Sequence, residues 1–147
     1  MKVVITGGGG FLGLQLAEAL LARGELTGVS GKIEPIDQMV LLDKFFGKQF
    51  KDPRVRELQG DVSNQALIKE SIEDADSFSI FHLASMVSGE CEERYDDALK
   101  VNLNGGRNVF DVARQAVGRP RVIFAGSIAS FGGEDMPAPV GDYTKHT

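Results

Sequence analysis

Residues Val3-Val4-Ile5-Thr6 run directly into Gly7-Gly8-Gly9-Gly10, and Gly13 follows after Phe11-Leu12. The apolar, β-branched run predicts a strand buried on both faces. Leu12, Leu16, Ala19, Leu20 and Arg23 then carry helical spacing up to Gly24. A strand that turns through glycines into a helix exposes free main-chain N–H groups and the positive end of the helix dipole. Such a point suits an anion. Two spacings fit at once, Gly8-x-Gly10-x-x-Gly13 and Gly7-x-x-Gly10-x-x-Gly13. Both match the fingerprint of a dinucleotide-binding turn. An early glycine permits the tight turn, Gly10 lets the backbone approach a pyrophosphate, and Gly13 lets helix pack on strand. A flexible surface turn is the alternative for the glycines alone; the strand and helix around them argue against it.

The chain beyond this turn alternates strands and helices. Residues 2–6 are the first predicted strand and 11–23 the first helix, and the polar stretch 25–37 reads as a surface loop. Met39-Val40-Leu41-Leu42-Asp43 is the second strand, ending on an acid. An acid there accepts hydrogen bonds from adenosine ribose hydroxyls and repels a 2′-phosphate, so Asp43 favours NAD over NADP. Lys44 beside it weakens that preference. A solvated strand-end carboxylate is the plainer alternative for Asp43. Residues 44–53 read as a connector, Val55 to Leu58 as the third strand, and Ser63 or Asn64 as the cap of a helix reaching about Asp74.

Phe78 to Ala84 is the fourth strand and its exit, with His82 more at home in packing and hydrogen bonding than in catalysis. Residues 85–92 read as a loop, and a long helix runs from Glu92-Glu93 to about Val117. Its apolar set includes Ala98, Val101, Leu103, Val109, Phe110, Val112, Ala113 and Ala116. Gly105-Gly106 in mid-helix cost about 1 kcal/mol each relative to alanine, which implies close packing there. Arg121 to Ala125 is the fifth strand, and the tail 134–147 shows no period. The order predicts an α/β fold: a Rossmann-type, doubly wound parallel sheet, truncated after about five strands, with its ligand beyond the carboxyl ends of the strands.

The chain of 147 residues suffices for one ordinary domain, and its net charge of -5 carries no basic patch, so nucleic acid is not an expected partner. One cysteine, Cys91, excludes an internal disulfide and suits a reducing cytoplasm. No apolar run is long enough to span a bilayer, so no membrane partner is expected.

The ordered set Thr6 to Gly13, Asp43, Gly60-Asp61-Val62, His82-Leu83-Ala84-Ser85, Val101-Asn102-x-x-Gly105 and Gly126-Ser127-x-x-x-Phe131-Gly132 resembles the extended short-chain dehydrogenase/reductase family, the NAD-dependent epimerases/dehydratases. The stretches Val87-Ser88-Gly89, Val101 to Gly105 and Ser127 to Gly133 look closest to its D-erythronate dehydrogenase branch. The resemblance implies roles by position. Gly7, Gly10 and Gly13, with Phe11 and Leu12 between them, would hold the pyrophosphate, and Asp43 the ribose. Asp61 and Val62 would hold the adenine. Leu83, Ala84 and Ser85 would lie along the cofactor, Asn102 would join the cofactor-binding set, and Ser127 would be the active-site serine. It also implies a sugar, sugar acid or nucleotide sugar as substrate, and a homodimer.

One departure is Ala125-Gly126, where many members carry further hydroxyls. The larger one concerns the family's Y-x-x-x-K pair, which exchanges a proton while hydride moves to or from the nicotinamide. Tyr143 lies too close to Ser127 to be that tyrosine, Thr147 stands four places on, and Lys145 at i+2 would face away. The expectation is that residues 1–147 form an NAD-binding domain without the Tyr/Lys helix and without a substrate lobe. The parent would be an NAD-dependent oxidoreductase or epimerase acting on a secondary alcohol, and the chain alone would bind cofactor only. A non-catalytic NAD-binding module and a fragment that binds nothing are the alternatives. A sheet ending there would leave apolar surface uncovered, so the isolated chain is expected to self-associate or to be partly ordered.

Overall fold

The computed structural model describes residues 1–132 and 139–145. Residues 133–138, 146 and 147 lie outside the described residues.

Strand β1 (Lys2–Thr6) is buried along its whole length, as a continuous apolar run requires. Helix α1 (Phe11–Arg23) follows the glycine turn and stops at Gly24, whose left-handed φ of 75° closes the last turn through a bond from its N–H to Leu20 O. The stretch read as a surface loop instead holds an antiparallel hairpin, β2 (Glu25–Thr27) on β3 (Ile33–Pro35). Its strands are only three residues long, Glu25-Leu26-Thr27 and Ile33-Glu34-Pro35, too short for alternation to mark them in the sequence. Long-range contacts fix it instead: Ile36 N donates to Gly24 O, and the Met1 ammonium donates to Pro35 O.

Strands β4 (Gln38–Asp43) and β5 (Val55–Gln59) come next, then helix α2 (Gln65–Ile72), capped by Asn64, whose side chain accepts from Ala66 N at 3.1 Å. After β6 (Phe78–His82) the chain departs from expectation again. The segment read as a loop contains helix α3 (Ser88–Glu93), and the single long helix is broken. Arg94 interrupts it at φ -131°, ψ 58°, and α4 (Tyr95–Ala98) leads into a π-helical segment, Leu99–Gly105. Helix α5 (Gly106–Gln115) continues from there, two residues short of Val117. Strand β7 (Arg121–Phe124) and a 3-10 turn (Ile128–Ser130) follow.

The main sheet has the order β5-β4-β1-β6-β7, all parallel. Val4 lies opposite Val40 and Ile80, and Ile5 lies opposite Leu41 and Phe81. The two-residue alternation divides the core. Val4, Val40, Leu42 and Ile80 face α2 and α5 through Ile68, Val109 and Val112. Val3, Ile5, Met39 and Leu41 face α1 through Ala17 and Leu20. Helices on both faces make this the doubly wound Rossmann architecture. Strand order reverses at β1, so the crevice where a ligand is expected opens above β1 and β6.

Candidate functional site

The turn after β1 is built by close approach. Gly7 has φ 73°, and a Cβ on it would lie 2.8 Å from Ala84 N. A Cβ on Gly13 would lie 2.1 Å from Gly7 O, so α1 packs onto the turn only because both residues lack side chains. Gly10 differs: it is exposed, and a Cβ there would have Gly7 O as its one neighbour within 4 Å, at 3.3 Å. The space beside it is open to a ligand. The N-terminus of α1 has no side-chain cap and no acid in its first turn, and the first intrahelical bond is Leu14 N to Gly10 O. The first-turn amides of Phe11, Leu12 and Gly13, ahead of that bond, are therefore the ones placed to meet an anion.

The neighbouring strand ends supply the side chains. Asp43, at the end of β4, accepts from Gly9 N at 2.9 Å and from Phe45 N at 3.3 Å, which ties the glycine turn to the β4 exit. Asp61, beyond β5, pairs with Lys44 at 2.7 Å and accepts from Ser63 N at 2.8 Å. Partial burial opposes its ionisation, but the bonds from Lys44 and Ser63 outweigh that and hold its carboxyl below the ordinary range. Beneath the crevice, Thr6 Oγ1 lies 2.6 Å from His82 Nδ1 and accepts from Ala84 N at 3.4 Å. Burial pushes the His82 imidazole below its usual pKa. His82 also meets Phe124, ring centroids 5.3 Å apart, so its place is in packing and hydrogen bonding, as its sequence context implies.

One cleft of about 480 Å³ joins most of these groups. Gly7, Gly10, Phe11, Leu12 and Asp43 form one side of the roster of its walls; Asp61, Val62, Leu83, Ala84 and Ser85 complete the set expected from sequence. Gly13 lies beneath the turn rather than on the wall. Asn102 also stands off the wall. It clamps the loop after β6: its Oδ1 accepts from Met86 N at 2.8 Å, and its Nδ2 donates to Met86 O at 3.1 Å. Ser127 is exposed beyond β7, and its carbonyl accepts from Ser130 Oγ at 2.6 Å. The cleft walls do not include it.

Sequence reasoning missed Glu90 and Arg94, which also wall the cleft. Glu90 fell in a stretch read as loop and Arg94 in one read as regular helix. Lys44 was noticed only as a neighbour of Asp43. Among the described residues, no group of His, Cys, Asp or Glu is placed to hold a metal ion, and no helix is long and apolar enough to cross a membrane.

Comparisons with known proteins place this geometry among dehydrogenases and epimerases. The sequence profile of the 3-beta hydroxysteroid dehydrogenase/isomerase family matches residues 4–143. D-erythronate dehydrogenase of Cupriavidus necator is 42% identical over 144 residues, which are 98% of this chain and 44% of that protein. The crystal structure of a nucleoside-diphosphate-sugar epimerase from Agrobacterium tumefaciens superposes with a TM-score of 0.80 at 35% identity, covering 100% of this chain and 43% of the other. The Bordetella bronchiseptica enzyme WbmH, solved in complex with NAD+, superposes with a TM-score of 0.60 at 26% identity, over 78% of this chain and 35% of its own. The chain thus spans less than half the length of these relatives.

Proposed function

From a chain that belongs to the 3-beta hydroxysteroid dehydrogenase/isomerase family, within the extended short-chain dehydrogenases/reductases, we propose the NAD-binding part of an oxidoreductase or epimerase. The whole enzyme acts on a secondary alcohol of a sugar, sugar acid or nucleotide sugar. The observation that carries this reading is the convergence on one cleft of the uncapped first turn of α1, the Asp43 carboxylate and the Asp61-Val62 pair. The D-erythronate dehydrogenase and nucleoside-diphosphate-sugar epimerase relatives support the substrate class, and the NAD+ complex of WbmH supports the cofactor.

Each residue then has a task. The amides of the first turn of α1 bind the pyrophosphate, and the open space beside Gly10 admits it. Asp43, already fixed by Gly9 and Phe45, accepts from the ribose hydroxyls and disfavours a 2′-phosphate. Asp61 and Val62 hold the adenine. Leu83, Ala84 and Ser85 lie along the cofactor toward its nicotinamide. NAD, when bound, supplies the hydride acceptor. Ser127 orients the reacting oxygen, while the proton-exchanging tyrosine and lysine belong to the rest of the whole enzyme. Residues 1–147 are, in this reading, its dinucleotide-binding domain. Exposed Tyr95, Leu103 and Phe110 support a homodimer, and the single cysteine supports a cytoplasmic setting.

A cofactor-binding module without chemistry is the second reading, favoured by the position of Ser127 away from the cleft walls. Calorimetric titration with NAD and NADP, for the wild-type protein and Asp43→Ala, tests the first premise of both. NAD is expected to bind more tightly than NADP, and the variant to lose that preference. Failure of the wild-type protein to bind either dinucleotide overturns both readings.

A further inference from the structure

Arg94 occupies the break between α3 and α4, with a backbone that continues neither helix. From there its side chain reaches the wall of the cleft, as does that of Glu90. The guanidinium is held by its edges. Nε and Nη2 donate to Asp97 Oδ2 at 3.1 and 2.7 Å, and Nη1 donates to Glu90 Oε1 at 3.1 Å. Two carboxylates therefore offset its charge and engage three of its five in-plane donors. Among the described residues no aromatic ring is paired with the guanidinium. A guanidinium already paired with two carboxylates attracts a phosphate less than a free one does, while its plane remains suited to stacking on a flat heterocycle.

The position of Arg94 selects the heterocycle. Ala98, Val101 and Gly105 form the buried stripe that continues from Arg94 along the helical stretch. That stripe packs on Val62: a Cβ on Gly105 would lie 2.5 Å from Val62 Cγ1. Val62, Val101 and Arg94 all wall the cleft, and Arg94 immediately precedes the helical stretch that carries the stripe. We propose that Arg94 is a stacking residue, its plane lying against the purine base of the bound dinucleotide while Glu90 and Asp97 hold it in register. This rests on the reading above, in which Asp61 and Val62 hold the adenine. It adds a base-recognition contact from the helix break opposite them.

The test is calorimetric titration of the protein with NAD and with ADP, for wild type, Arg94→Ala, Arg94→Lys and Arg94→Phe, each first checked for folding by circular dichroism. Stacking predicts that Arg94→Ala and Arg94→Lys each weaken both ligands about fivefold, because the ammonium of lysine offers no plane. Arg94→Phe keeps binding within about twofold of wild type, because an aromatic ring replaces the lost surface. The loss in Arg94→Lys persists at high salt. Wild-type affinity in Arg94→Lys combined with a loss in Arg94→Phe would overturn the proposal in favour of a charge contact. Unchanged affinity in Arg94→Ala overturns it as well; if Asp43→Ala still weakens NAD in that case, the dinucleotide reading survives and only the stacking contact falls. A wild-type protein that binds neither NAD nor ADP removes both.

Discussion

Thr6 Oγ1 lies 2.6 Å from His82 Nδ1, between two buried side chains that are register partners at the ends of β1 and β6. Thr6 Oγ1 also accepts from Ala84 N at 3.4 Å, so the one hydroxyl bonds both the imidazole of β6 and the backbone that follows it. The pair joins the strand that feeds the glycine turn to the loop that walls the cleft. Burial holds the His82 pKa below the usual 6.5, so the unfolded chain takes up the proton first as pH falls. The neutral-His82 contribution to stability is therefore complete above about pH 6.5 and declines as pH drops from there toward the lower folded value. Thermal unfolding between pH 7.5 and pH 5.5 should show a larger loss for wild type than for His82→Gln, which keeps a hydrogen-bonding partner for Thr6 but does not titrate. Equal losses in the two proteins would refute this role.

Gly105 and Val62 make a second prediction. A Cβ on Gly105 would stand 2.5 Å from Val62 Cγ1, and Val62 is buried and β-branched, with little freedom to turn aside. Gly105→Ala should destabilise by about 1–3 kcal/mol through overpacking. Val62→Ala alone should also destabilise, by removing buried methyl groups. The double variant should be more stable than the sum of the two losses implies, since each change makes room for the other. Urea unfolding of the four proteins measures the coupling, and strict additivity would mean that the two sites do not touch.

The glycine turn, the five long strands and the Asn64 cap were readable because each rests on local chemistry. A parallel strand buried on both faces leaves a continuous apolar run, and Val3 to Thr6 and Met39 to Leu42 are such runs. The Gly105-Gly106 pair announced close packing, and the structure places Gly105 against Val62. What stayed hidden depends on distant contacts or on small changes in winding. The hairpin of β2 and β3 is held by Gly24 and Met1, not by its own pattern. The π-helical segment shifts the helix register over Leu99–Gly105 without any change in composition. Arg94 reaches the cleft through a backbone break that no residue type in Glu92-Glu93-Arg94-Tyr95 signals. The bond of Asn102 to Met86, sixteen positions away in sequence, is not visible in the residue types around it.

Asn102 holds Met86 by both its amide N–H and its carbonyl, and Cys91 Sγ donates to the same carbonyl at 3.2 Å. The clamp fixes the loop that carries Leu83, Ala84 and Ser85 to the cleft. Replacing Asn102 with leucine, which keeps the volume and removes both bonds, should cost about 1–3 kcal/mol of stability. Asn102→Asp keeps the acceptor for Met86 N and places a carboxylate near Met86 O, so it should lose at least as much. Hydrogen exchange followed by mass spectrometry should show faster exchange at residues 85–87 in both variants. Unaltered exchange there would mean that the loop is held by other contacts.

The helical stretch from Tyr95 to Phe110 carries one apolar face that the described part of the fold leaves open. Tyr95, Leu103 and Phe110 are 66%, 63% and 50% exposed, at spacings of about two turns that keep them on one side of the helix. Phe110 stacks on Phe124 with centroids 5.9 Å apart, so the patch continues onto the edge strand β7. Fully burying such a side chain is worth about 1.5–3 kcal/mol, and a symmetric pairing buries each one twice. If this face pairs two copies of the chain, Leu103→Asp and Phe110→Asp should each reduce the dimer fraction that wild type shows in analytical ultracentrifugation. Neither residue lines the cleft, so NAD affinity should change by less than about twofold if the cleft is complete within one chain. A wild-type protein that sediments as a monomer at tens of micromolar would leave this face to some other cover. Loss of NAD binding in step with dissociation would instead show that the cleft depends on its neighbour.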